Sequence, residues 1–318
     1  TITHNGYIKR TSLSTYRSQR RGGRGVQGAS SRDEDFVEHL FIANTHSYIL
    51  FFTDKGKCYW VKVYDIPEGG RAAKGRAIVN LIGCEPDEKV SAFISVKEFN
   101  EDHYVVMATE KGMVKKTKLS AYSNPRKKGI YAVEIRDGDK LIEARVSTGD
   151  NDIFLGTRNG KSIRFSEEQI RASGRKTMGV KGITLSSDDD RLVGMLLIKR
   201  EGTVLVATEK GFGKRTEISQ YRAQKRGGKG VLTMKTTDKV GKMVTIKEVV
   251  DKDDLMIITN QGVLIRLPVT QIRSIGRATQ GVKLIKLGEG TLVSSITRIM
   301  SEEEEDENNN TESTDPKE

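Results

Sequence analysis

The sequence predicts an all-β fold in which six antiparallel four-stranded blades form a propeller-like disc. A turn with Thr three residues before Gly occurs six times, and its glycines are spaced by 50, 56, 48, 51 and 51 residues. Gly supplies the positive φ that a tight hairpin turn requires. No segment has sustained 3.6-residue periodicity, so we expect strands rather than helices. The turns are Thr3–Gly6, Thr53–Gly56, Thr109–Gly112, Thr157–Gly160, Thr208–Gly211 and Thr259–Gly262.

Apolar residues recur at fixed places on both sides of the turn. The segment before each complete turn is almost entirely apolar, which predicts a strand buried on both faces. These segments are residues 48–52, 104–108, 153–155, 204–207 and 255–258. Ten residues past each turn glycine stands one large apolar residue, which we interpret as a core position. These residues are Tyr16, Ile66, Tyr122, Ile170, Tyr221 and Ile272.

A basic loop closed by a glycine forms the third recurring feature. The glycine lies nineteen residues past the turn in five repeats, at Gly25, Gly75, Gly179, Gly230 and Gly281, and two residues earlier in the third repeat, at Gly129. A VxxIxL strand is expected after it, as at Val180–Leu185 and Val282–Leu287. A sheet of about 50 residues cannot bury its own faces, whereas a ring of such sheets can. A linear β-solenoid is the alternative. Since Thr1 falls inside a predicted strand, we expect the chain to be cut from a longer polypeptide.

The charge is divided unevenly along the chain. The net charge is +11, but residues 301–318 contain nine acidic residues and one lysine, which leaves +19 on residues 1–300. We therefore predict a basic β-domain over residues 1–300 and an acidic, disordered tail over residues 301–318. Such a basic body indicates a polyanionic partner. The tail either competes with that partner or only adds solubility.

The basic loops predict the binding surface. Equivalent loops of a ring lie on one rim, where their cations can meet the phosphates of a curved duplex. Nothing resembles a recognition helix, so we expect little sequence preference. The loop residues are Arg20, Arg21, Arg24, Arg71, Lys74, Arg76, Arg126, Lys127, Lys128, Arg175, Lys176, Lys181, Lys225, Arg226, Lys229, Arg277 and Lys283. Four residues past the turn glycine, five repeats add Arg10, Lys116, Arg164, Arg215 and Arg266, and the second repeat has Trp60.

Other functional classes find no support in the sequence. The lone GxGxxG at Gly23, Gly25 and Gly28 lacks the strand, helix and acidic residue of a dinucleotide site. The four histidines and two cysteines have no metal-ligand spacing. No apolar run approaches the roughly 20 residues of a membrane span. We therefore expect no catalytic residues, no metal and no cofactor in this chain.

The first basic loop carries a specific motif. Gln19, Arg20, Arg21, Gly22, Gly23, Arg24 and Gly25 read QRRGGRG. Glycines allow the backbone to approach phosphates closely, and arginines grip phosphate oxygens in a bidentate manner. The motif resembles the gyrase A box, the signature of the C-terminal domain of DNA gyrase A subunits. The six-fold repeat extends the resemblance over residues 1–300. Gln224–Gly230 reads QKRGGKG, a near copy whose role stays open.

The resemblance implies a β-pinwheel, a propeller variant in which neighbouring blades exchange strands. It also implies a domain that wraps duplex DNA so that gyrase can introduce negative supercoils. ATP, Mg²⁺ and the DNA-cleaving tyrosine would then belong to other parts of the enzyme, namely the N-terminal region of the gyrase A subunit, to which this domain is linked, and the gyrase B subunit. A monomeric, cytoplasmic domain is expected. The alternatives are the equivalent domain of a type IV topoisomerase, or a propeller that binds RNA or protein.

Overall fold

The computed structural model describes residues 1–3, 5–12, 37–39, 43–70, 73–198, 202–261 and 264–299. The described residues up to 198, together with 222–231, form one compact unit, and those in 202–221 and 232–299 form a second. Residues 222–231 are the basic loop of the fifth repeat. That loop therefore packs with the unit that contains the fourth repeat rather than with its own strands.

Each complete repeat contributes four antiparallel strands in a constant order. The first strands are Ile2–Thr3, Tyr48–Thr53, Tyr104–Thr109, Asp152–Thr157, Thr203–Thr208 and Asp254–Thr259. The second strands are Tyr7–Ile8, Lys57–Lys62, Met113–Lys118, Lys161–Ser166, Phe212–Glu217 and Leu264–Pro268. The third strands are Arg76–Ala77, Ile130–Tyr131, Val180–Lys181, Val231–Leu232 and Val282–Lys283. The fourth strands are Val37–His39, Val90–Val96, Leu141–Ser147, Leu192–Ile198, Met243–Val249 and Val293–Ile299.

The hairpin between the first and second strands depends on both Thr and Gly. In the third repeat the Gly112 N–H donates to the Thr109 carbonyl over 3.0 Å, and Gly112 has φ of 82°. The Met113 N–H then donates to the Thr109 hydroxyl oxygen over 3.2 Å. The same two hydrogen bonds occur in all five turns whose glycine the structure describes. The side chain of Thr thus satisfies a backbone donor that the tight turn leaves free.

The third strand of each repeat joins the sheet of the preceding repeat. Ile130–Tyr131, for example, pairs with the second strand of the second repeat, and Val282–Lys283 pairs with the second strand of the fifth. Five sheets consequently have four strands, and the sixth has three in the described part of the chain. The all-β prediction and the exchange of strands implied by the resemblance are both confirmed.

Two local predictions were wrong. The predicted VxxIxL strands pair with the neighbouring strand over two residues only. The N–H groups that follow bind a carbonyl of a turn instead. In the fourth repeat, for example, the N–H groups of Gly182 and Ile183 both donate to the carbonyl of the preceding turn glycine, Gly112. The second repeat also contains an unpredicted α-helix, Ile78–Ile82, which ends at Gly83 with φ of 63°. Five residues are too few to produce a helical period in the sequence.

Within each unit the core lies between consecutive sheets, namely the first and second, the second and third, and the third and fourth in one unit, and the fifth and sixth in the other. The first strands are buried along nearly their whole length, as predicted; Tyr104–Thr109 is half-buried only at its first residue. A 3-10 turn follows the second strand in the second to sixth repeats: Val63–Asp65, Leu119–Tyr122, Glu167–Gln169, Ile218–Gln220 and Val269–Gln271. It turns the predicted core residue inward, and Ile66, Tyr122, Ile170, Tyr221 and Ile272 are all at most 3% exposed. Tyr16 lies outside the described residues.

Candidate nucleic-acid interface

The basic loops connect the 3-10 turn to the exchanged strand, so each loop lies against the sheet of the preceding repeat. Their closing glycine is needed for this approach. Gly179 has φ of 80°, and a Cβ atom built on it would lie 2.4 Å from the Val114 carbonyl oxygen. Gly75, Gly230 and Gly281 approach the preceding repeat equally closely. The glycine recognised in the sequence is therefore a packing requirement that brings each loop onto a neighbouring blade.

Most of the loop cations predicted from the sequence are exposed. No carboxylate of the described chain lies within 4 Å of the exposed ones, so no acid among the described residues neutralises their charges. The ammonium of Lys74 lies 4.3 Å from the centre of the Tyr7 ring, and that of Lys283 lies 5.6 Å from the Phe212 ring. These exposed residues are Lys74, Arg76, Arg126, Lys127, Lys128, Lys176, Lys181, Lys225, Lys229 and Lys283.

One arginine of the loop has a structural contact that recurs from repeat to repeat. It lies four residues before the closing glycine, is half-buried and donates from Nη1 to a carbonyl of the preceding exchanged strand. Arg175 donates to Tyr131 over 3.2 Å, Arg226 to Lys181 over 3.0 Å and Arg277 to Leu232 over 3.4 Å. The equivalent Arg71 lies outside the described residues. These arginines connect consecutive loops, which leaves less of each guanidinium free for a ligand.

The side chain four residues past the turn glycine joins consecutive repeats. Arg10 Nε donates to the carbonyl of Ile66 over 2.8 Å, and Arg215 Nε donates to that of Ile272 over 2.7 Å. Each acceptor is the core residue of the next repeat. Trp60, the exception in the sequence, makes the same contact, because its indole N–H donates to the carbonyl of Tyr122 over 2.8 Å. We call these three hydrogen bonds the inter-repeat latch.

All five bases at this position are also paired with acids: Arg10 Nη1 lies 3.1 Å from a carboxylate oxygen of Glu68, and Arg215 Nη1 pairs with Asp251. Lys116 is 7% exposed, and its ammonium lies 3.2 Å from the buried carboxylate of Glu167. Arg164 and Arg266 bind Asp152 and Asp254, which occupy equivalent places at the start of the first strand; their Nε atoms lie 2.7 and 2.6 Å from a carboxylate oxygen. The five bases predicted here as DNA contacts therefore all have partners within the chain, although the side chain of Arg266 is still 63% exposed.

Three exposed arginines were missed by the sequence reasoning. Arg171, Arg222 and Arg273 each follow a core residue directly, at the entrance to the basic loop. Arg17 occupies the same position in the first repeat and lies outside the described residues. The fixed offset of eleven residues past the turn glycine was available in the sequence. These arginines stand directly beside the apolar core positions, so the basic period coincides with the apolar one.

The two box-like loops differ in what the structure describes. Gln19, Arg20, Arg21, Gly22, Gly23, Arg24 and Gly25 lie outside the described residues. In the near copy, the Gly227 N–H donates to the Gly182 carbonyl over 2.7 Å, and the Gly228 carbonyl accepts from the Thr184 N–H over 2.9 Å. The Arg226 N–H donates to the Gln169 side chain over 2.8 Å. This loop is therefore bonded to the fourth repeat through its backbone, while Lys225 and Lys229 remain exposed.

The described residues contain neither a cluster of metal-ligating side chains nor a helix that could span a membrane. No group of three or more His, Cys, Asp and Glu residues in the described ranges could hold a metal ion. None of the helices in these ranges has the length and apolar content needed to cross a bilayer. Cys58 is buried and Cys84 half-buried, and both are free thiols.

Six repeated antiparallel sheets, five of which take a strand from the following repeat, together with exposed cationic loops define a basic β-pinwheel of the propeller class. A family model described as the DNA gyrase C-terminal domain, beta-propeller, matches residues 1–44, 47–97, 103–148, 151–199, 202–249 and 253–299. These six matches correspond to the six repeats. The chain belongs to this family.

The relatives agree with the family assignment. The DNA gyrase A subunit of Staphylococcus epidermidis strain ATCC 12228 is 47% identical over 306 residues, which cover 95% of this chain and 34% of the relative. The chain thus spans about a third of the length of the curated relatives it matches.

Solved structures share the fold. The C-terminal domain of a DNA topoisomerase IV has a TM-score of 0.81 at 27% identity, with 95% of this chain and 92% of that chain covered. A DNA gyrase A C-terminal domain has a TM-score of 0.77 at 23% identity, with 94% of this chain and 98% of that chain covered. The latter likeness concerns the fold alone.

Proposed function

We propose that this domain binds the phosphates of duplex DNA along its exposed basic loops. The observation that supports this proposal best is the recurrence of exposed lysines and arginines, without carboxylate partners among the described residues, in the loops of consecutive repeats. Phosphate contacts made by such side chains carry affinity but no sequence information. The helix in the described chain has five residues, too short to read a major groove. We expect little sequence preference beyond the ease with which DNA bends.

The proposed interface would hold the DNA in a bent form. Bending a 20–30 bp site by 40–90° costs about 1–6 kcal/mol, so a half-turn wrap costs on the order of 10 kcal/mol. A single basic patch could not offset that cost, whereas several loops that each neutralise phosphates could. Since each neutralised phosphate releases counterions, the affinity should fall steeply as the salt concentration rises.

In the parent enzyme, the bent segment would be presented for ATP-dependent strand passage by DNA gyrase. ATP and Mg²⁺ would act in the remaining parts of the gyrase A and B subunits, and this domain would contribute no catalytic group or cofactor. We place the enzyme in the cytoplasm and the isolated domain in a monomeric state. The likeness to a topoisomerase IV domain favours that enzyme as the second candidate. The intact QRRGGRG sequence at residues 19–25 favours gyrase.

A plasmid experiment tests the proposal. A circular plasmid is relaxed with a nicking-closing enzyme in the presence of the domain, and the trapped change in linking number is measured. We expect a change whose size grows with the protein concentration. The variant Arg20→Ala/Arg21→Ala/Arg24→Ala should keep the fold and much of the affinity but lose the trapped change. Unaltered plasmid topology at saturating wild-type protein would refute wrapping, and full bending by the folded variant would refute a role for the box.

A further inference from the structure

The repeats alternate between two types. Three residues past the turn glycine, the odd repeats have Lys9, Lys115 and Lys214, whereas the even repeats have Tyr59, Ile163 and Ile265. The core position alternates in the same way, with Tyr in the odd repeats and Ile in the even ones. The basic loops follow this alternation, since those of the even repeats share the pattern Gly-Arg-x-x-x-Gly at residues 70–75, 174–179 and 276–281. The chain therefore has a two-repeat period within the six-fold one.

The three lysines are buried although they are charged residues. Lys9 is 4% exposed, Lys115 1% and Lys214 0%. A buried ammonium is costly unless its donors are satisfied. Burial, together with the smaller effect of the nearby guanidinium groups of Arg175 and Arg277, lowers the pKa of Lys115 to about 7 and that of Lys214 to about 8. A lysine thus occupies this position although burying its ammonium costs substantial desolvation energy. This indicates that the ammonium makes contacts that an apolar residue could not make.

Those contacts lead to the Gly-Arg-x-x-x-Gly loop of the next repeat. Lys9 Nζ donates to the carbonyls of Gly70 and Ala73, over 3.0 and 2.9 Å. Lys115 Nζ donates to the carbonyl of Arg175 over 2.5 Å and to that of Ala132 over 2.7 Å. In each case the ammonium of one repeat binds at least one backbone oxygen of the following loop; the second acceptor of Lys115, Ala132, lies in its own repeat.

Lys214 makes the most complete set of these bonds. Its Nζ donates to the carbonyls of Gly276, over 2.6 Å, and Arg277, and to the hydroxyl of Thr279 over 3.0 Å. All three acceptors lie in the loop 276–281, and three donors are the full capacity of an ammonium. No neutral side chain of similar size could satisfy this set.

The loop of the fifth repeat has a different support. A Cβ atom built on Gly228 would lie 3.5 Å from Cδ1 of Ile163, the even-repeat counterpart of the buried lysines. Its Gly227 N–H is bonded to Gly182, a backbone contact with the fourth repeat. The loop with the box-like sequence thus rests on an apolar side chain, and the Gly-Arg-x-x-x-Gly loops are held by an ammonium.

We infer that Lys9, Lys115 and Lys214 are positioning residues that hold every second basic loop in the conformation in which its cations reach DNA. This inference rests on the proposed function for its DNA part. Without the ammonium, two carbonyls lose their shared donor, and the loop separates from the preceding blade. The cations in and directly after the loop 174–179, among them Lys176 and Lys181, then lose their fixed position.

The variant Lys115→Met tests this inference, with Ile163→Met as the matched control at the equivalent even position. Methionine fills the space of the lysine stem but donates no hydrogen bond. In the absence of DNA, hydrogen exchange in residues 174–179 should become about 10-fold faster in Lys115→Met, because a buried set of hydrogen bonds is lost, and should stay unchanged in residues 225–230. Ile163→Met should leave exchange in residues 174–179 unchanged.

Binding to a linear duplex DNA supplies the second measurement. Loss of one phosphate contact should lower the slope of log affinity against log salt by about 0.9 in Lys115→Met and not in the control. A general loss of stability would lower the folded fraction without changing this slope. If the wild-type chain fails to bind duplex DNA, the proposed function fails. If it binds, and Lys115→Met keeps the wild-type slope with its loop released, the positioning inference alone fails.

A second variant covers the case in which Lys115→Met does not fold. In Lys214→Met, which removes the three hydrogen bonds to residues 276–281, exchange in those residues should become faster, while exchange in residues 225–230 should stay unchanged. Unchanged exchange in residues 276–281 of this variant would overturn the inference.

Discussion

Replacing two exposed lysines of the third repeat should weaken DNA binding without affecting the fold. Lys127 and Lys128 are exposed, and no carboxylate of the described chain lies within 4 Å of them. Removing two phosphate contacts lowers the slope of log affinity against log salt by about 1.8. Raising the salt from about 50 to about 200 mM should then cost the double Ala variant about 12-fold less affinity than it costs the wild type. Stability should change by less than about 0.5 kcal/mol, as for other surface substitutions.

Two comparison variants make the assay specific. Lys89→Ala/Lys140→Ala removes the same charge from exposed positions outside the basic loops and should leave the slope nearly unchanged. Arg215→Met removes a base that lies in the inter-repeat latch. It leaves the Ile272 carbonyl without that donor, so the free energy of unfolding should fall by about 1–3 kcal/mol while the salt slope is kept.

Fluorescence anisotropy of a labelled duplex, measured over a salt series, gives the slopes, and urea unfolding gives the stabilities. The distinction between loop lysines that bind DNA and bases that join repeats would be refuted if Arg215→Met lowered the slope as much as Lys127→Ala/Lys128→Ala does. It would also be refuted if the two double lysine variants behaved alike, because net charge alone would then explain binding.

Three further substitutions test the packing of the repeats. Trp60→Phe removes the donor to the buried Tyr122 carbonyl and should lower the free energy of unfolding by about 1–2 kcal/mol, measured by circular dichroism in urea; wild-type stability would contradict the latch. Gly179→Ala places a Cβ atom 2.4 Å from a carbonyl oxygen at positive φ and should cost about 2 kcal/mol or more, whereas Gly174→Ala, with nothing within 4 Å, should cost less than about 0.5 kcal/mol. The pKa of Lys115 is lowered to about 7 by burial, so the unfolded chain binds the extra proton above that pH. The wild type should therefore gain stability relative to Lys115→Met as the pH rises from about 7 to about 10.5, and parallel melting curves would refute the lowered pKa.

The sequence predicted the strands and turns well because both depend on local chemistry. An apolar run such as Tyr104–Thr109 is buried on both faces wherever its sheet is placed, and a tight turn requires Gly at positive φ. Consequently, five of the predicted turn glycines have positive φ, and five of the predicted core residues are buried. The helix Ile78–Ile82 was missed because one turn and a half is too short to carry a period.

The long-range contacts of the cations could not be predicted in the same way. Whether a base faces solvent depends on groups of other repeats, such as the Ile66 carbonyl that accepts from Arg10, 56 residues away in sequence. Every residue has a backbone carbonyl, so the sequence does not indicate which carbonyl will accept a hydrogen bond from a distant base. An acidic partner is more visible: Asp152 and Asp254 stand eight residues before the turn glycine in the repeats that contain Arg164 and Arg266.

Periodicity alone cannot distinguish a base that binds a ligand from one that joins repeats, because both functions recur once per repeat. The two functions can be distinguished by the residue in the one repeat that has no base at this position, Trp60. If the position four residues past the turn glycine served phosphates, Trp60 would interrupt the row, since indole has no positive charge. If it served a backbone carbonyl, any side chain with a correctly placed N–H would suffice, and Trp60 makes the same bond as Arg10 and Arg215. An uncharged donor in a basic row therefore indicates a hydrogen bond within the protein, whereas adjacent lysines in an exposed loop, such as Lys127 and Lys128, indicate a surface for an external anion.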